Sequence, residues 1–318
     1  MSEVVAIGEL LIDFVAKGKN KIGYPIMEAN PGGAPANFLS ALASFGITTS
    51  LIGKVGDDSF GHMLKKTLVQ AGIDISSLIM DKNVFTTLAF VTLSENGDRE
   101  FSFSRKPGAD TKLSFDEIDL DVIDRAKVFH FGTLSLTSEP SKTATIKALE
   151  YAKNKGKIIS FDPNLRKNLW DNLDDAKKAI LYGLKNSDII KISDDEVEFL
   201  FNLNKEDGIK YIFNEFKPKI IYLTCGELGS YSMNKDGLIF TPSLKGIEVV
   251  DTTGAGDIFG GSAMYKLLDK NKSLDDITLD DLKDIAKFSS IAAGLSTTKH
   301  GGISSVPTLN EVNKIYNN

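Results

Sequence analysis

The chain has 318 residues, of which 42% are hydrophobic and 25% are charged, as is usual for a soluble globular protein with a sizeable core. Its 43 acidic and 37 basic residues leave a net charge of −6 without a basic arm, which argues against a nucleic-acid partner. The single cysteine excludes an intramolecular disulfide. We see no signal-peptide pattern and no apolar run of the roughly 18–20 residues that a membrane helix needs, so we expect a cytoplasmic protein without membrane contact.

Strand-like and helical segments alternate along most of the chain. The apolar segment 4–14 begins as a buried strand, and 35–46 has apolar residues at helical spacing with a stop at Gly46. Further predicted strands are 49–56, 127–132, 157–162, 187–192 and 219–226, and further predicted helices are 58–71, 141–154, 173–185, 193–202, 255–268 and 278–295. This alternation predicts an α/β fold with a mainly parallel sheet that helices cover on both faces.

Two segments do not fit the alternation. Residues 86–105 form two period-two runs joined at Asn96-Gly97, which predicts a β-hairpin. Residues 14–31 also resemble short strands. We predict a single domain over 1–318 in which inserts at about 14–31 and 86–107 form a small antiparallel sheet at one edge.

Polar residues and glycines follow the predicted strands. Open α/β sheets bind ligands in the crevice at the carboxyl ends of their strands, so these residues are the first candidates for a site. They are Asp13, Gly32, Gly33, Asn37, Asp162, Asn164, Arg166, Lys191, Thr224, Gly226 and the run 251–257.

The segment 248–264, EVVDTTGAGDIFGGSAM, combines a glycine-rich turn with the start of a predicted helix. A helix N-terminus attracts anions, and Gly254 and Gly256 would let a phosphoryl group approach the backbone closely. Asp257 would then accept a proton from an attacking hydroxyl. The alternative is that Asp257 only caps the helix. The spacing matches neither a P-loop nor a dinucleotide fingerprint.

Two long motifs carry a family resemblance. DTTGAGDIFGG (251–261) resembles the C-terminal signature, and GGAPANFLSALASFG (32–46) the N-terminal signature, of the ribokinase/phosphofructokinase-B carbohydrate kinases. Segments such as FDPNLRKNLW (161–170) are most similar to fructokinases. The resemblance implies a ribokinase-like three-layer α/β/α sandwich with a small β lid, and ATP-dependent phosphorylation of fructose at C6. A 2-keto-3-deoxygluconate kinase or another kinase of the family is the alternative; a non-catalytic sensor is disfavoured because Asp257 and the glycines are intact.

The resemblance also implies roles for individual residues. Asp257 matches the general base, and Gly254, Ala255 and Gly256 match the anion hole. The implied sugar contacts are Asp13, Gly32, Gly33, Asn37, Phe103, Arg105 and Arg166. The residues alone leave other interpretations open: Asp13 as a solvated strand end, Phe101 and Phe103 as packing of the small sheet, and Arg166 in a surface ion pair.

The implied nucleotide contacts are Asn164, Lys191, Glu196, Thr224, Gly226, Gly229 and Gly256, with adenine between the Gly226 loop and the helix at 285–294. The family's N-x-x-E motif has Ser193 in place of asparagine here, so we expect Glu196 to act through magnesium-bound water. Asp251, Thr253, Ser296, Lys299, Gly301 and Ser305 match positions around a monovalent cation, for which oxygen ligands indicate potassium.

The small sheet also bears on assembly. Phe85, Phe90 and Phe101 would leave apolar surface or open strand edges uncovered. Relatives often pair such lids, so we expect a homodimer through the β lid, with a sugar and ATP as the small-molecule partners.

Overall fold

The computed structural model describes the backbone of residues 2–93 and 99–317 and the side chains of 2–92 and 102–317. The strands are β1 (Val4–Ile7), β2 (Leu11–Lys19), β3 (Pro25–Gly32), β4 (Thr49–Gly56), β5 (Ile73–Asp74), β6 (Leu78–Asp81), β7 (Leu88–Leu93), β8 (Arg99–Ser104), β9 (Val128–Phe131), β10 (Ile158–Phe161), β11 (Ile189–Ser193), β12 (Ile220–Thr224), β13 (Gly229–Asn234) and β14 (Gly237–Pro242). The helices are α1 (Ala34–Ser44), α2 (Ser59–Gln70), α3 (Leu120–Arg125), α4 (Ser141–Asn154), α5 (Leu173–Lys185), α6 (Asp194–Phe201), α7 (Lys205–Phe216), α8 (Ala255–Asp269), α9 (Leu279–Ser296) and α10 (Leu309–Tyr316).

The main sheet is mostly parallel. Its strand order is β14-β13-β12-β11-β10-β9-β1-β4-β5, and β6 pairs with β4. Strands β12 to β4 in that order are parallel, whereas β13 and β14 join one edge in antiparallel pairs. The carboxyl ends of the parallel strands therefore lie at one edge of the sheet, as the sequence predicts.

Each central strand is buried on both faces. Val4 and Ala6 of β1 belong to one hydrophobic core and Val5 and Ile7 to the other, because successive side chains point to opposite faces of a strand. Residues of α1, α2, α8 and α9 complete the first core, and residues of α4, α5, α6 and α7 the second. This confirms the predicted three-layer α/β/α arrangement. Among the described helices, none has the length and apolarity to cross a bilayer.

A small sheet, hereafter the lid, stands apart from the main one. Its order is β3-β2-β7-β8, with antiparallel outer pairs and a parallel pair, β2 with β7, in the middle. The ring of Phe14 stacks on Phe90 at 5.3 Å and meets Phe60 of α2 edge-on at 5.5 Å. Phe85 is 77% exposed. The Asn96-Gly97 turn and the Phe101 side chain lie outside the described residues, but β7 and β8 pair as the predicted hairpin requires.

The structure differs from the predicted elements at two places that bear on the packing. Segment 4–14 divides into β1 and β2, which belong to different sheets. Segment 205–216, for which no element is predicted, forms α7 although Gly208 lies within it. A Cβ at Gly208 would lie 2.1 Å from Cγ1 of Val197, so this glycine allows α7 to pack closely against α6.

Candidate active site

The first turn of α8 provides unpaired backbone amides. The N-cap is Gly254, whose φ of 76° lies in the left-handed region, and none of the described side chains caps the helix. Within the described part of the chain, the amides of Gly254 and Gly256 donate to no protein acceptor, whereas the Ala255 amide donates to the Thr252 carbonyl oxygen at 3.3 Å. Unpaired amides at a helix N-terminus suit an anion.

Asp257 lies in the same turn and is directed across to α1. Its Oδ2 accepts a hydrogen bond of 2.9 Å from Asn37 Nδ2, so the interpretation of Asp257 as a mere helix cap is wrong. Burial, reinforced by Asp162 and opposed by Lys191, raises the pKa of Asp257 from 3.8 to about 6. A carboxyl group with that pKa is roughly 90% ionised at pH 7 and is therefore able to accept a proton.

Lys191, in the middle of β11, places a positive charge beside this turn. Its Nζ lies 3.0 Å from Asp162 Oδ2, and a Cβ at Gly256 would lie only 2.8 Å from that Nζ. Burial lowers the pKa of Lys191, but the carboxylates of Asp162, Glu196 and Asp257 outweigh it and raise the pKa above its ordinary value. The ammonium group is therefore charged at the place where an anion would bind.

Asn37 is buried between two glycine-containing segments. A Cβ on Gly254 would lie 3.0 Å from Asn37 Nδ2, and one on Gly302 would lie 2.2 Å from Asn37 Oδ1. The Oδ1 atom is buried and has no hydrogen-bonding partner among the described residues. Asn37 therefore orients Asp257 through its amide nitrogen, and its Oδ1 remains available to accept a hydrogen bond from a ligand.

Gly32 and Gly33 allow close packing on the opposite wall. A Cβ on Gly32 would lie 2.4 Å from Asp13 Oδ2. One on Gly33, whose φ is 125°, would lie 2.5 Å from the Glu9 carbonyl oxygen. Gly33 requires glycine because of its φ and its backbone contact, whereas a side chain at position 32 would displace the Asp13 carboxylate.

Arg166 lies close enough to both Asp13 and Asp257 for its charge to act on each carboxylate. Among the described residues the Asp13 carboxylate has no hydrogen-bonding partner; burial raises its pKa to about 6, against the opposing charge of Arg166. Arg166 also lowers the pKa of Asp257. The structure thus brings together two carboxylates and one guanidinium that the sequence assigns to a sugar.

Arg105 has a different position from the predicted one. Its Nε and Nη2 donate to Asp110 Oδ2 at 2.8 and 2.7 Å, Nη1 donates to Thr137 Oγ1 at 2.7 Å, and Nη2 also donates to the Leu134 carbonyl oxygen. Since the side chain is 6% exposed and bonded at every nitrogen, Arg105 anchors the end of β8 and is not available as a sugar ligand. Phe103 is half-buried on β8 opposite Ala89.

Glu196 joins two loops near the cleft. Its Oε2 accepts from the Ser193 amide and its Oε1 from the Leu165 amide, at 2.9 and 2.8 Å. Ser193 in turn accepts from the Glu196 amide, so serine in place of asparagine forms a capping box at the start of α6. Asn164, with a φ of 44°, donates its amide to Asp162 Oδ1.

A cleft of about 570 Å³ runs from α8 to α9. Leu244, Ile247 and Val249 line its far end opposite Ala293 and Gly294. This apolar end of the cleft lies where adenine is predicted. The loop 243–249 that forms it was not predicted as part of the nucleotide site. The available sequence signal was Gly294, a glycine inside a predicted helix. In the structure a Cβ at Gly294 would lie 2.8 Å from Leu244 Cβ, so the glycine makes room for this loop. The predicted nucleotide contacts that line the cleft are Lys191, Thr224, Gly226, Gly229 and Gly256.

The predicted cation loops come together at Asp251. Its Oδ1 accepts from the Thr253 amide and hydroxyl at 2.9 and 2.7 Å, and its Oδ2 accepts from the Gly301 amide at 3.0 Å. The Asp251 amide donates to the Thr297 carbonyl oxygen. These bonds fasten the loop that precedes α8 to the loop that follows α9.

The remaining predicted cation ligands have local partners. The Ser296 and Ser305 hydroxyls donate to carbonyl oxygens and keep their own oxygens as acceptors. The Lys299 ammonium lies 3.3 Å from Glu311, so only the backbone of Lys299 would serve as a ligand. Hydroxyl and carbonyl oxygens around one carboxylate fit a monovalent cation.

Two buried acids near the site have no role assigned from sequence. Asp162 is 5% exposed and pairs with Lys191. Glu9 is 3% exposed, accepts from the Ala34 amide at 3.0 Å, and has its pKa raised to about 7 by burial. Position alone marked Asp162, directly after a strand; no signal marked Glu9.

Comparison with known proteins gives a consistent result. The family model described as pfkB family carbohydrate kinase matches residues 1–309. The chain is 42% identical over 314 residues to Fructokinase-2 of Solanum lycopersicum, covering 97% of this chain and 94% of that protein. It is 40% identical to Fructokinase-1 of Zea mays, covering 97% and 96% of the two chains.

Solved structures agree with the sequence matches. The fructokinase from Xylella fastidiosa with bound ATP superimposes with a TM-score of 0.91 at 26% identity, covering 100% of this chain and 99% of that one. A double mutant of the Vibrio cholerae O395 fructokinase, in the form with bound fructose, ADP and potassium ion, has a TM-score of 0.87 at 27% identity and coverages of 99% and 98%.

Proposed function

The chain belongs to the pfkB family of carbohydrate kinases, and we propose that this ATP-dependent sugar kinase transfers the γ-phosphate of ATP to the C6 hydroxyl of D-fructose. The observation that supports this most directly is the Asp257 carboxylate beside the unpaired amides of Gly254 and Gly256. A base and an anion site within the same helical turn suit the attack of an alcohol on a phosphoryl group.

In the proposed reaction, Asp257 accepts the proton of the C6 hydroxyl as that oxygen bonds to the γ-phosphorus and the bond to ADP breaks. The amides of Gly254 and Gly256 donate to the transferring phosphoryl oxygens, and the Ala255 amide joins them by giving up its 3.3 Å bond to the Thr252 carbonyl oxygen. The Lys191 ammonium, held near this turn, balances the phosphate charge. Catalysis of this kind depends on position and charge, since a loose phosphoryl-transfer transition state needs little covalent assistance.

For the sugar we propose hydrogen bonds to Asp13 and Asn37 and contact with Arg166. The unpartnered Asp13 carboxylate would accept from two vicinal hydroxyls, and the unpaired Asn37 Oδ1 from a third. Gly32 and Gly33 leave room for the ring to approach the backbone. Phe103 would cover it from the lid.

The structure bears on the alternative substrate, a sugar acid such as 2-keto-3-deoxygluconate. Its carboxylate needs a cation, and Arg105 is engaged with Asp110. Arg166 is then the remaining predicted arginine, and it already faces Asp13 and Asp257. This charge arrangement favours the neutral sugar.

For the nucleotide we propose that phosphates lie at the Lys191 and Gly256 end of the 570 Å³ cleft and adenine at the Leu244 and Gly294 end. Asn164, Thr224, Gly226 and Gly229 would complete the site. Magnesium would neutralise the charge of the phosphates, and Glu196 would contact its water shell. Potassium would be held by Asp251, Thr253, Ser296, Lys299, Gly301 and Ser305, where it would fix the loop that leads into α8.

We further propose a single kinase domain over 1–318, in the cytoplasm, that forms a homodimer through the lid. The support for the dimer is an apolar surface on the described part of the lid, where Ile22, Tyr24 and Phe85 are 75%, 65% and 77% exposed. A monomer in light scattering at micromolar concentration would contradict it.

The test of the function is a panel of sugars with ATP and magnesium, with ADP release and sugar phosphate both measured. We expect turnover of fructose and none of 2-keto-3-deoxygluconate; the reverse pattern would overturn the assignment. The panel is repeated with potassium replaced by a large organic cation, which should reduce turnover if the 296–305 loop holds potassium.

A further inference from the structure

Asp162, which forms a buried pair with Lys191, has no role in the function proposed so far. Asp162 directly follows β10 and is 5% exposed, and its Oδ2 lies 3.0 Å from Lys191 Nζ. Its Oδ1 accepts from the Asn164 amide at 3.2 Å, which fixes the orientation of the carboxylate. Burying this pair is costly unless both charges are held in good geometry.

Three carboxylates, those of Asp162, Glu196 and Asp257, act on the single ammonium group of Lys191. Asp162 and Asp257 both act on Lys191, yet among the described side chains the ion pair within contact distance is with Asp162. Asp257 instead accepts a neutral amide hydrogen bond from Asn37. The base therefore stays free of a direct ion pair that would occupy the oxygen needed for the substrate proton.

The glycine at 256 completes the arrangement. A Cβ there would lie 2.8 Å from Lys191 Nζ, so the ammonium group touches the first turn of α8 only because residue 256 has no side chain. From this geometry we propose that Asp162 is a positioning residue that holds the Lys191 ammonium against the start of α8 and away from Asp257. The proposal rests on the proposed kinase function.

Removing the charge of Asp162 has a specific consequence. In an Asp162→Asn protein, Lys191 would be attracted by the two remaining carboxylates, Glu196 and Asp257. Because both Glu196 oxygens already accept from backbone amides, Asp257 is the one that would take the ammonium group. Asp162 raises the pKa of Asp257, while Lys191, Arg166 and the Asn37 amide lower it, so the variant should have a lower pKa at the base. ATP would lose its aligned ammonium group and the sugar hydroxyl would lose its acceptor.

The experiment compares wild type, Asp162→Asn, Lys191→Met and the double variant. Calorimetry measures ATP binding without a sugar, and steady-state kinetics give kcat and both KM values between about pH 5 and pH 9. For Asp162→Asn we expect kcat/KM for ATP to fall about 10- to 100-fold, weaker ATP binding, and an acid limb displaced to lower pH. In the Lys191→Met background the same change should have little further effect on ATP affinity.

Asp281→Asn is the matched control, because Asp281 is also a buried carboxylate paired with lysines, at 3.1 Å to Lys270 and 2.7 Å to Lys272, and does not line the cleft. It should lower thermal stability without moving ATP affinity or the pH profile. Asp162→Ser provides a second, smaller variant if Asp162→Asn folds poorly.

An unchanged acid limb, or additive effects of Asp162→Asn and Lys191→Met on ATP affinity, would overturn the positioning role. Failure of the kinase function has a different signature: wild type would bind ATP and turn over no sugar in the panel. The calorimetric cycle still decides the positioning role in that case.

Discussion

Asp257→Asn tests the proposed base most directly. The variant keeps the shape of the side chain and its hydrogen bond to α1, because the asparagine Oδ1 replaces the Asp257 oxygen that accepts from Asn37 Nδ2 at 2.9 Å. That orientation places an NH2 group, a donor, where the carboxylate offered a second acceptor. Substrates should still bind, but the attacking hydroxyl has no proton acceptor.

The expected kinetic loss follows from the role. General-base removal costs about 10²- to 10⁴-fold, or roughly 2.7–5.4 kcal/mol of transition-state stabilisation. We expect the loss in kcat, with KM for ATP and fructose little changed. The acid limb of the kcat profile, which the Asp257 pKa of about 6 would produce in wild type, should disappear.

The same variant should be more stable than wild type. Burial raises the folded-state pKa of Asp257 from 3.8 to about 6, so above pH 6 the ionised carboxylate destabilises the folded protein. Each unit of pKa shift corresponds to about 1.4 kcal/mol, and solvent screening of this half-buried group reduces that value. The free energy of unfolding of Asp257→Asn at neutral pH should therefore exceed that of wild type by about 1–3 kcal/mol. The gain should shrink as the pH falls from 6 to 3.8 and vanish below that, where the carboxyl group of wild type is protonated in both the folded and the unfolded state.

The assays are ADP release coupled to a dehydrogenase, ATP and fructose binding by calorimetry, and urea unfolding at several pH values. Near-normal turnover in an Asp257→Asn protein that binds both substrates would refute the base assignment. A loss of stability at neutral pH would instead refute the account of why its pKa is raised.

Three further outcomes are expected. Gly302→Ala should lower the free energy of unfolding by about 1–3 kcal/mol and should also lower kcat, because the added Cβ would lie 2.2 Å from Asn37 Oδ1. The Gly302 φ of −87° suits alanine, so thermal unfolding and turnover would report this contact and not backbone strain. Arg105→Met should cost about 3–5 kcal/mol in urea unfolding, since it leaves Asp110 buried without its ion pair; a smaller loss would argue against the anchor. KM for fructose should rise below about pH 6 as Asp13 is protonated, while KM for ATP measured in the same series should not follow it.

The fold was largely predictable because its signals are local. Strands of the main sheet are apolar on both faces, and the helices between them have apolar residues at helical spacing, so 141–154 and 173–185 were predicted with the observed ends. Helix α7 was missed because Gly208 weakens its helical pattern, and the reason for that glycine, its contact with Val197, lies in another helix.

The site was predictable in its location and less so in its contacts. The glycine-rich start of α8 and the polar residues Lys191 and Thr224 of β11 and β12 line the 570 Å³ cleft. Arg105 was assigned to the sugar from motif and strand alternation, whereas in the structure Asp110, Thr137 and the Leu134 carbonyl oxygen take its hydrogen bonds. The motif carried no information about those three acceptors.

The sequence by itself therefore determined where strands and helices form and where the crevice opens, because periodicity and glycine-rich turns are encoded by near neighbours in the chain. Tertiary structure alone decided how the buried polar groups pair: Asn37 with Asp257 across 220 residues, Asp162 with Lys191, and Arg105 with Asp110. The physical reason is that a buried charge or amide pairs with whichever partner the packed elements bring within about 3 Å, and spacing along the chain does not specify that distance.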